Sequence, residues 1–315
     1  MNQFFLQLPP KPQIPAIDYH SKIVLLGSCF VKNIGNKLEY FKFQSLVNPF
    51  GIIFHPIAIY NLLKRIAEQR LYTENDIFYY NEQWHCFEIH SQLSHADKNK
   101  FLKKLNGLLA ETKKQLSEAT HVVLTYGTAW GYLKNDKIVA NCHKVPQQEF
   151  TKTLFEVADL EKCFKETFQL IQNLNSNVKI ITTISPVRHV KDGIVENNQS
   201  KAHLLAAIHK ICSENNVASY YPAYELMIDC LRDYRFCKED LVHPNQTAID
   251  FIWEHFEATW LYETKTQKTL KKVNEIQKGL HHKPFNENSK LHQKFLLNLE
   301  EKTNDLNSEF PFMEF

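Results

Sequence analysis

The chain has 315 residues, enough for one large domain or two small ones, and its 43% hydrophobic content supports a sizeable core and excludes disorder as the default. Acidic and basic residues nearly cancel at a formal charge of +2, so nothing calls for nucleic acid or an anionic membrane as a partner. The seven cysteines (Cys29, Cys86, Cys142, Cys163, Cys212, Cys230 and Cys237) are odd in number and form no C-x-x-C pair, which disfavours a disulfide framework and a zinc site.

Met1 to Pro15 has neither a basic start with an apolar centre nor a small-residue cleavage site, and no apolar run approaches the roughly 20 residues that span a bilayer. A cytoplasmic location with reduced thiols is therefore expected. Pro9, Pro10, Pro12 and Pro15 make residues 1–20 an extended lead-in. Lys22 to Leu26 is a short branched apolar run suited to a strand covered on both faces, while Val31, Ile34, Leu38 and Phe41 recur near helical spacing. The chain therefore turns from strand to helix at about Cys29, with Gly27 supplying the backbone freedom. Ser28 and Cys29 sit there among unpaired backbone N–H groups at the positive end of the helix dipole. A hydroxyl or thiol in that position suits nucleophilic attack on an ester, with donors at hand for the oxyanion.

Phe43 to Val47 reads as a second short strand ending in the turn Asn48-Pro49-Phe50-Gly51, and Ile57 to Ala67 as a helix. Ile77–Tyr80 and Trp84–Ile89 about the turn Asn81-Glu82 predict a hairpin, inserted over about residues 71–96. This insertion is expected to line the substrate cleft, with His90 as a contact. Residues 97–118 read as a helix and His121 to Tyr126 as a buried strand, after which Trp130 is a candidate cleft wall. Phe150 to Asn175 is predicted helical, Val178 to Ile184 a strand, Gln199 to Ser213 a helix and Val217 to Tyr221 the last strand. Arg188 and His189 lie past a strand end, where open α/β sheets place ligands, and suit a substrate carboxylate or hydroxyl or a paired loop. After a short helix or turn over Pro222 to Tyr234, Asp240 and His243 stand three apart on a loop before the helix Gln246 to Trp260. Such a spacing makes an orienting acid and a general base. Beyond about residue 262 the composition turns to Lys, Asn, Gln and Glu, predicting solvated helices and a tail from which Phe310, Phe312 and Phe315 dock on the core.

Several segments in chain order carry a wider resemblance. Gly27-Ser28-Cys29-Phe30-Val31, Asn48-Pro49-Phe50-Gly51 with Phe54-His55-Pro56, and Tyr126-Gly127-Thr128-Ala129-Trp130 are among them. Asn141-Cys142-His143-Lys144-Val145-Pro146, Ser185-Pro186-Val187-Arg188-His189 with Asp192-Gly193, and Ser200-Lys201 complete the set. Over about residues 22–260 the chain resembles the GSCFA family, a branch of the SGNH or GDSL-like hydrolases. The alternation of strands and helices implies an α/β sandwich with a mostly parallel sheet. The resemblance makes it a three-layer, flavodoxin-like α/β/α sandwich over residues 1–262, with a helical extension over 263–315.

The resemblance further implies hydrolysis of a small acyl ester, an O-acetyl group on a carbohydrate being one such substrate, without metal or cofactor. His243 would be the base, Asp240 its orienter, and Gly51 an oxyanion donor, with Asn141 and His143 in the site wall. The wider group's third block carries Gly-x-Asn, but Ala129 holds that place here. Thr128, a backbone N–H, Asn48 or Asn141 must then supply the missing donor. Aligning Gly27 with the glycine of G-D-S makes Cys29 the nucleophile; sliding by one makes it Ser28, and both stay open. An acyltransferase using the same residues, or a non-catalytic carbohydrate- or partner-binding module, are the other classes. Nothing in the sequence sets the oligomeric state.

Overall fold

Alternate side chains of the first strand divide the molecule into two faces. In the computed structural model, which describes residues 6–315, Val24 and Leu26 point into one buried apolar cluster, and Ile23 and Leu25 into another. The chain runs β1 (Lys22–Gly27), α1 (Cys29–Tyr40), β2 (Gln44–Val47), α2 (Pro56–Glu68), β3 (Phe78–Tyr80), β4 (Gln83–His85), α3 (Lys98–Glu118) and β5 (His121–Tyr126). It continues through β6 (Trp130–Lys134), β7 (Lys137–Val139), β8 (Thr151–Leu154), α4 (Val157–Leu174), β9 (Lys179–Ile184), α5 (Ile194–Glu214) and β10 (Ala218–Tyr220). The short α6 (Ala223–Glu225), then α7 (Gln246–Trp260), α8 (Thr264–Leu280) and α9 (Lys290–Glu309), complete it.

The central sheet is parallel throughout, in the order β10-β9-β5-β1-β2. This is the flavodoxin-like order, in which the crossovers diverge on either side of β1 and leave a crevice at the C-terminal ends of β1 and β5. One face is covered by α2, α3, α4 and α5 through residues such as Leu62, Leu105, Phe164 and Leu204. The other is covered by α1 and α7, and by α8 and α9 through Leu270, Val273, Leu299, Leu306 and Phe310. A three-layer α/β/α sandwich results. Phe310 is buried in that second cluster and Phe315 packs against it, whereas Phe312 is exposed. The first five residues of the proline-rich lead-in lie outside the described residues.

Two antiparallel pieces decorate the sandwich. β3 and β4 form the predicted hairpin, with Asn81 and Glu82 both at positive φ, as a two-residue turn requires. Its second strand ends at His85, and Phe87 to Ile89 turn away from it. The second piece, β6 between β7 and β8, was not expected from the sequence. Its β8 takes Thr151–Leu154 out of the helix predicted from Phe150. The helix instead begins after Glu156, whose side chain forms a capping box with Asp159, and its buried stripe starts at Leu160. The helix predicted from Gln199 begins earlier, at Ile194.

Candidate active site

At the end of β1 the backbone passes so close to β5 that a Cβ on Gly27 would lie 2.2 Å from the Thr125 carbonyl oxygen, and Gly27 has φ +142°. Only glycine meets both conditions. The next N–H, that of Ser28, donates to the same carbonyl at 3.1 Å. Ser28 then caps α1, its buried Oγ accepting from the Phe30 N–H at 3.3 Å. Cys29 is the first helical residue and is half-buried. Burial raises its thiol pKa; its own N–H, that of Phe30 and the Lys201 and Lys238 charges oppose the rise.

The Asp240–His243 loop is a self-contained unit. Asp240 Oδ1 accepts from the backbone N–H groups of Val242 (3.0 Å) and His243 (2.9 Å), and Oδ2 lies 2.7 Å from His243 Nδ1. These bonds pull the Asp240 carboxyl down to about 2. A carboxylate can only accept, so Nδ1 carries the proton and Nε2 is left as a base. Leu241, at φ +58°, lets the loop reverse between them.

Both units open onto one cavity of about 530 Å³ at the C-terminal ends of β1, β5 and β9, lined by Ser28, Cys29, Thr128, Trp130, Arg188, Asp240 and His243 among others. The Thr128 hydroxyl accepts from the Trp130 N–H at 3.0 Å and bonds Ser200 Oγ at 2.9 Å, while Ser200 Oγ accepts from the Ala129 N–H at 2.7 Å. Trp130 is fixed as a wall by its ring N–H to the Glu196 carbonyl (3.1 Å) and by Lys152 over its face at 4.7 Å. Lys152 in turn pairs with Asp192 at 2.6 Å.

The other expected residues serve the scaffold. The Gly51 N–H donates within its own turn to Asn48 O (2.8 Å), so it is not free to act as an oxyanion donor. Asn48 Oδ1 accepts from the Gly27 N–H at 2.8 Å, tying β2 to the end of β1. His90 packs its Cβ on Gly51 and accepts from the Gln92 N–H through Nδ1, while its own N–H donates to Phe50 O; it is not part of the cavity wall. The hairpin therefore does not line the cavity that Ser28 and Cys29 face. Asn141 Oδ1 accepts from the His143 N–H at 2.8 Å, and His143 is buried against His85; neither reaches the cavity.

Lys201 was missed as a site residue. Fully buried in α5, it donates to the carbonyls of Gly127 (2.5 Å) and Ser185 (2.6 Å), clamping the ends of β5 and β9 together behind Cys29. Burial brings its amine down to about 7. The signal was present: Asn197, Lys201, Leu204 and Ile208 share the buried face of that helix, and a lysine on such a stripe is unusual. His189 also lines the cavity, its Nε2 standing where a Gly127 Cβ would come within 3.1 Å and its ring 5.0 Å from that of Phe54. Burial and the Lys201 charge bring it down to about 4, so it is a neutral imidazole at neutral pH. Among the described residues no group of three His, Cys, Asp or Glu side chains is placed to hold a metal ion, and no helix is long and apolar enough to cross a membrane.

These features define an open, doubly wound α/β protein with a thiol, a hydroxyl and an imidazole–carboxylate pair around one cavity at the switch point of its sheet. The chain belongs to the GSCFA family, whose model matches residues 22–256; that of the GSCFA C-terminal domain matches residues 273–315. No curated protein matches the chain. Among solved structures, the psychrotrophic esterase EstA from Pseudoalteromonas sp., inhibited by monoethylphosphonate, is 13% identical, with 77% of this chain and 100% of that chain covered at a TM-score of 0.37.

Proposed function

We propose that the protein hydrolyses a small acyl ester, with Cys29 as nucleophile, His243 as general base and Asp240 as its orienter. The observation that carries this reading is the single cavity shared by the start of α1 and the 2.7 Å Asp240–His243 pair. Cys29 is favoured over Ser28 because the Ser28 hydroxyl is buried and engaged as the helix cap, whereas Cys29 is half-buried beside cationic groups. His243 Nε2 takes the thiol proton, Sγ bonds to the acyl carbon, and the carbonyl electron pair moves onto oxygen. The Cys29 N–H, at the first helical position, and the Thr128 hydroxyl are the donors for that oxyanion. Collapse breaks the ester C–O bond, and the leaving alkoxide takes the proton from His243. Water, giving a proton to His243, then cleaves the thioester; the acid leaves and the thiol is restored. A thiol nucleophile suits a reducing, cytoplasmic setting, and an O-acetyl group on a sugar is a fitting substrate.

Turnover of 4-nitrophenyl acetate by the wild type and by Cys29→Ala, Ser28→Ala and His243→Ala tests the proposal, with folding checked by circular dichroism. Cys29→Ala and His243→Ala should each lose about 10⁴-fold in kcat, as when one member of a catalytic unit is removed. A background rate indifferent to both changes rejects hydrolysis of such esters. Acyl transfer outrunning hydrolysis when a sugar acceptor is added reassigns the same residues to a transferase.

A further inference from the structure

The cavity charges do not cancel, and the imbalance has one sign. Asp192 is taken by Lys152 at 2.6 Å, and Asp240 by His243 at 2.7 Å. Beside the main cavity lies a second one of about 300 Å³, with Arg188 in the wall of both. Its one carboxylate, Asp233, pairs with Arg235 at 3.0 Å. Every carboxylate in the two walls therefore already has a cationic or imidazole partner. Arg188 and Arg232, which both line the second cavity, have no hydrogen bond and no ion pair among the described residues.

Arg188 is half-buried, and its charge reaches the interior, where it opposes protonation of Lys201. A guanidinium withdrawn from water without a counter-ion is costly, and its planar fork matches a carboxylate or phosphate in a two-bond geometry. We infer that the substrate is an anionic acyl ester, whose carboxylate or phosphate group is held by Arg188 and Arg232 while its acyl carbon lies at Cys29. This rests on the hydrolase reading for the acyl end only. The anion subsite is a binding property that exists without turnover.

Titration calorimetry with succinate and with inorganic phosphate, on the full chain and on Arg188→Gln, Arg188→Lys and Arg232→Gln, reads the subsite directly. One of the two anions should bind the wild type, and the tighter names the group. Arg188→Gln should weaken that binding about 10-fold, the scale of one charge-assisted hydrogen bond. Arg188→Lys keeps the charge and should lose less, and Arg232→Gln gives an independent reading should the Arg188 variants misfold. In parallel, the kcat/KM ratio of 4-nitrophenyl hydrogen succinate to 4-nitrophenyl acetate should fall about 10-fold in Arg188→Gln. Absence of binding by both anions, or equal binding by wild type and the folded variants, overturns the inference. Arg188-dependent anion binding without any ester turnover upholds the subsite and rejects the hydrolase reading.

Discussion

Two regions of the molecule bring histidines together with polar neighbours; one opens on a cavity and the other closes on itself. Between the hairpin and the loop before β8, His85 Nδ1 lies 3.2 Å from His143 Nδ1 and 2.6 Å from Ser94 Oγ. Their Nε2 atoms donate to the carbonyls of Tyr80 (2.9 Å) and Cys86 (2.7 Å). Phe78 and Phe87 pack around the two rings. At the sheet's C-terminal edge, by contrast, His243 has one ring nitrogen committed among the described residues, and Cys29, Arg188 and His189 line open space. The residue types are alike in the two regions. What separates a site from a buried network is which polar groups the fold leaves without a partner, facing a volume a ligand can fill.

The largest effect that would sharpen this contrast is at the carboxylate. Asp240→Asn should lower kcat about 10³-fold with the fold intact, because the imidazole loses its tautomer and orientation. Wild-type kcat in that variant would place Asp240 on the structural side. On the closed side, Arg65 is fully buried with its guanidinium on Glu88 (2.6 Å) and Asp76 (2.7 Å) and on the carbonyls of Arg70 and Leu71. Arg65→Met should cost about 3 kcal/mol in urea unfolding, the price of breaking a buried pair, while kcat per folded molecule stays within about twofold.

A third test uses pH. Burial brings His143 from an ordinary 6.5 down to about 4, and His55 to about 3. The unfolded chain therefore binds these protons first as pH falls, so stability is complete above pH 6.5 and is lost between 6.5 and about 4. His143→Gln should make the denaturation midpoint less sensitive to pH across that window, by up to about 3 kcal/mol, and leave the ester kinetics alone. A collapse of turnover instead would make the His85–His143 pair part of a site. The smallest effect is at the cap: Ser28→Ala should cost about 1 kcal/mol in stability and retain turnover, and loss of all activity would transfer the nucleophile to Ser28.

Much of the sandwich was legible locally. The branched runs at Lys22–Leu26, His121–Tyr126 and Val178–Ile184 mark strands because burial on both faces demands continuous apolar sequence, and β1, β5 and β9 lie there. Asn81-Glu82 signalled its turn, and the Asp240–His243 pair is legible because its hydrogen bonds span only three residues. The β6–β8 sheet was not, since its short, half-buried strands have no periodicity apart from their partners, and Thr151–Leu154 merged with the helix that follows. The roles of Lys201 and His143 were out of reach for the same reason. Lys201 is fixed by carbonyls 74 and 16 residues away, and His143 by a ring 58 residues away. Sequence alone determined the parallel sheet, the turn from β1 into α1 and the Asp240–His243 pair, which arise from local pattern and short-range bonds. Only the tertiary structure decided which polar groups were consumed by distant partners and which were left facing the cavity, because that depends on where the chain returns.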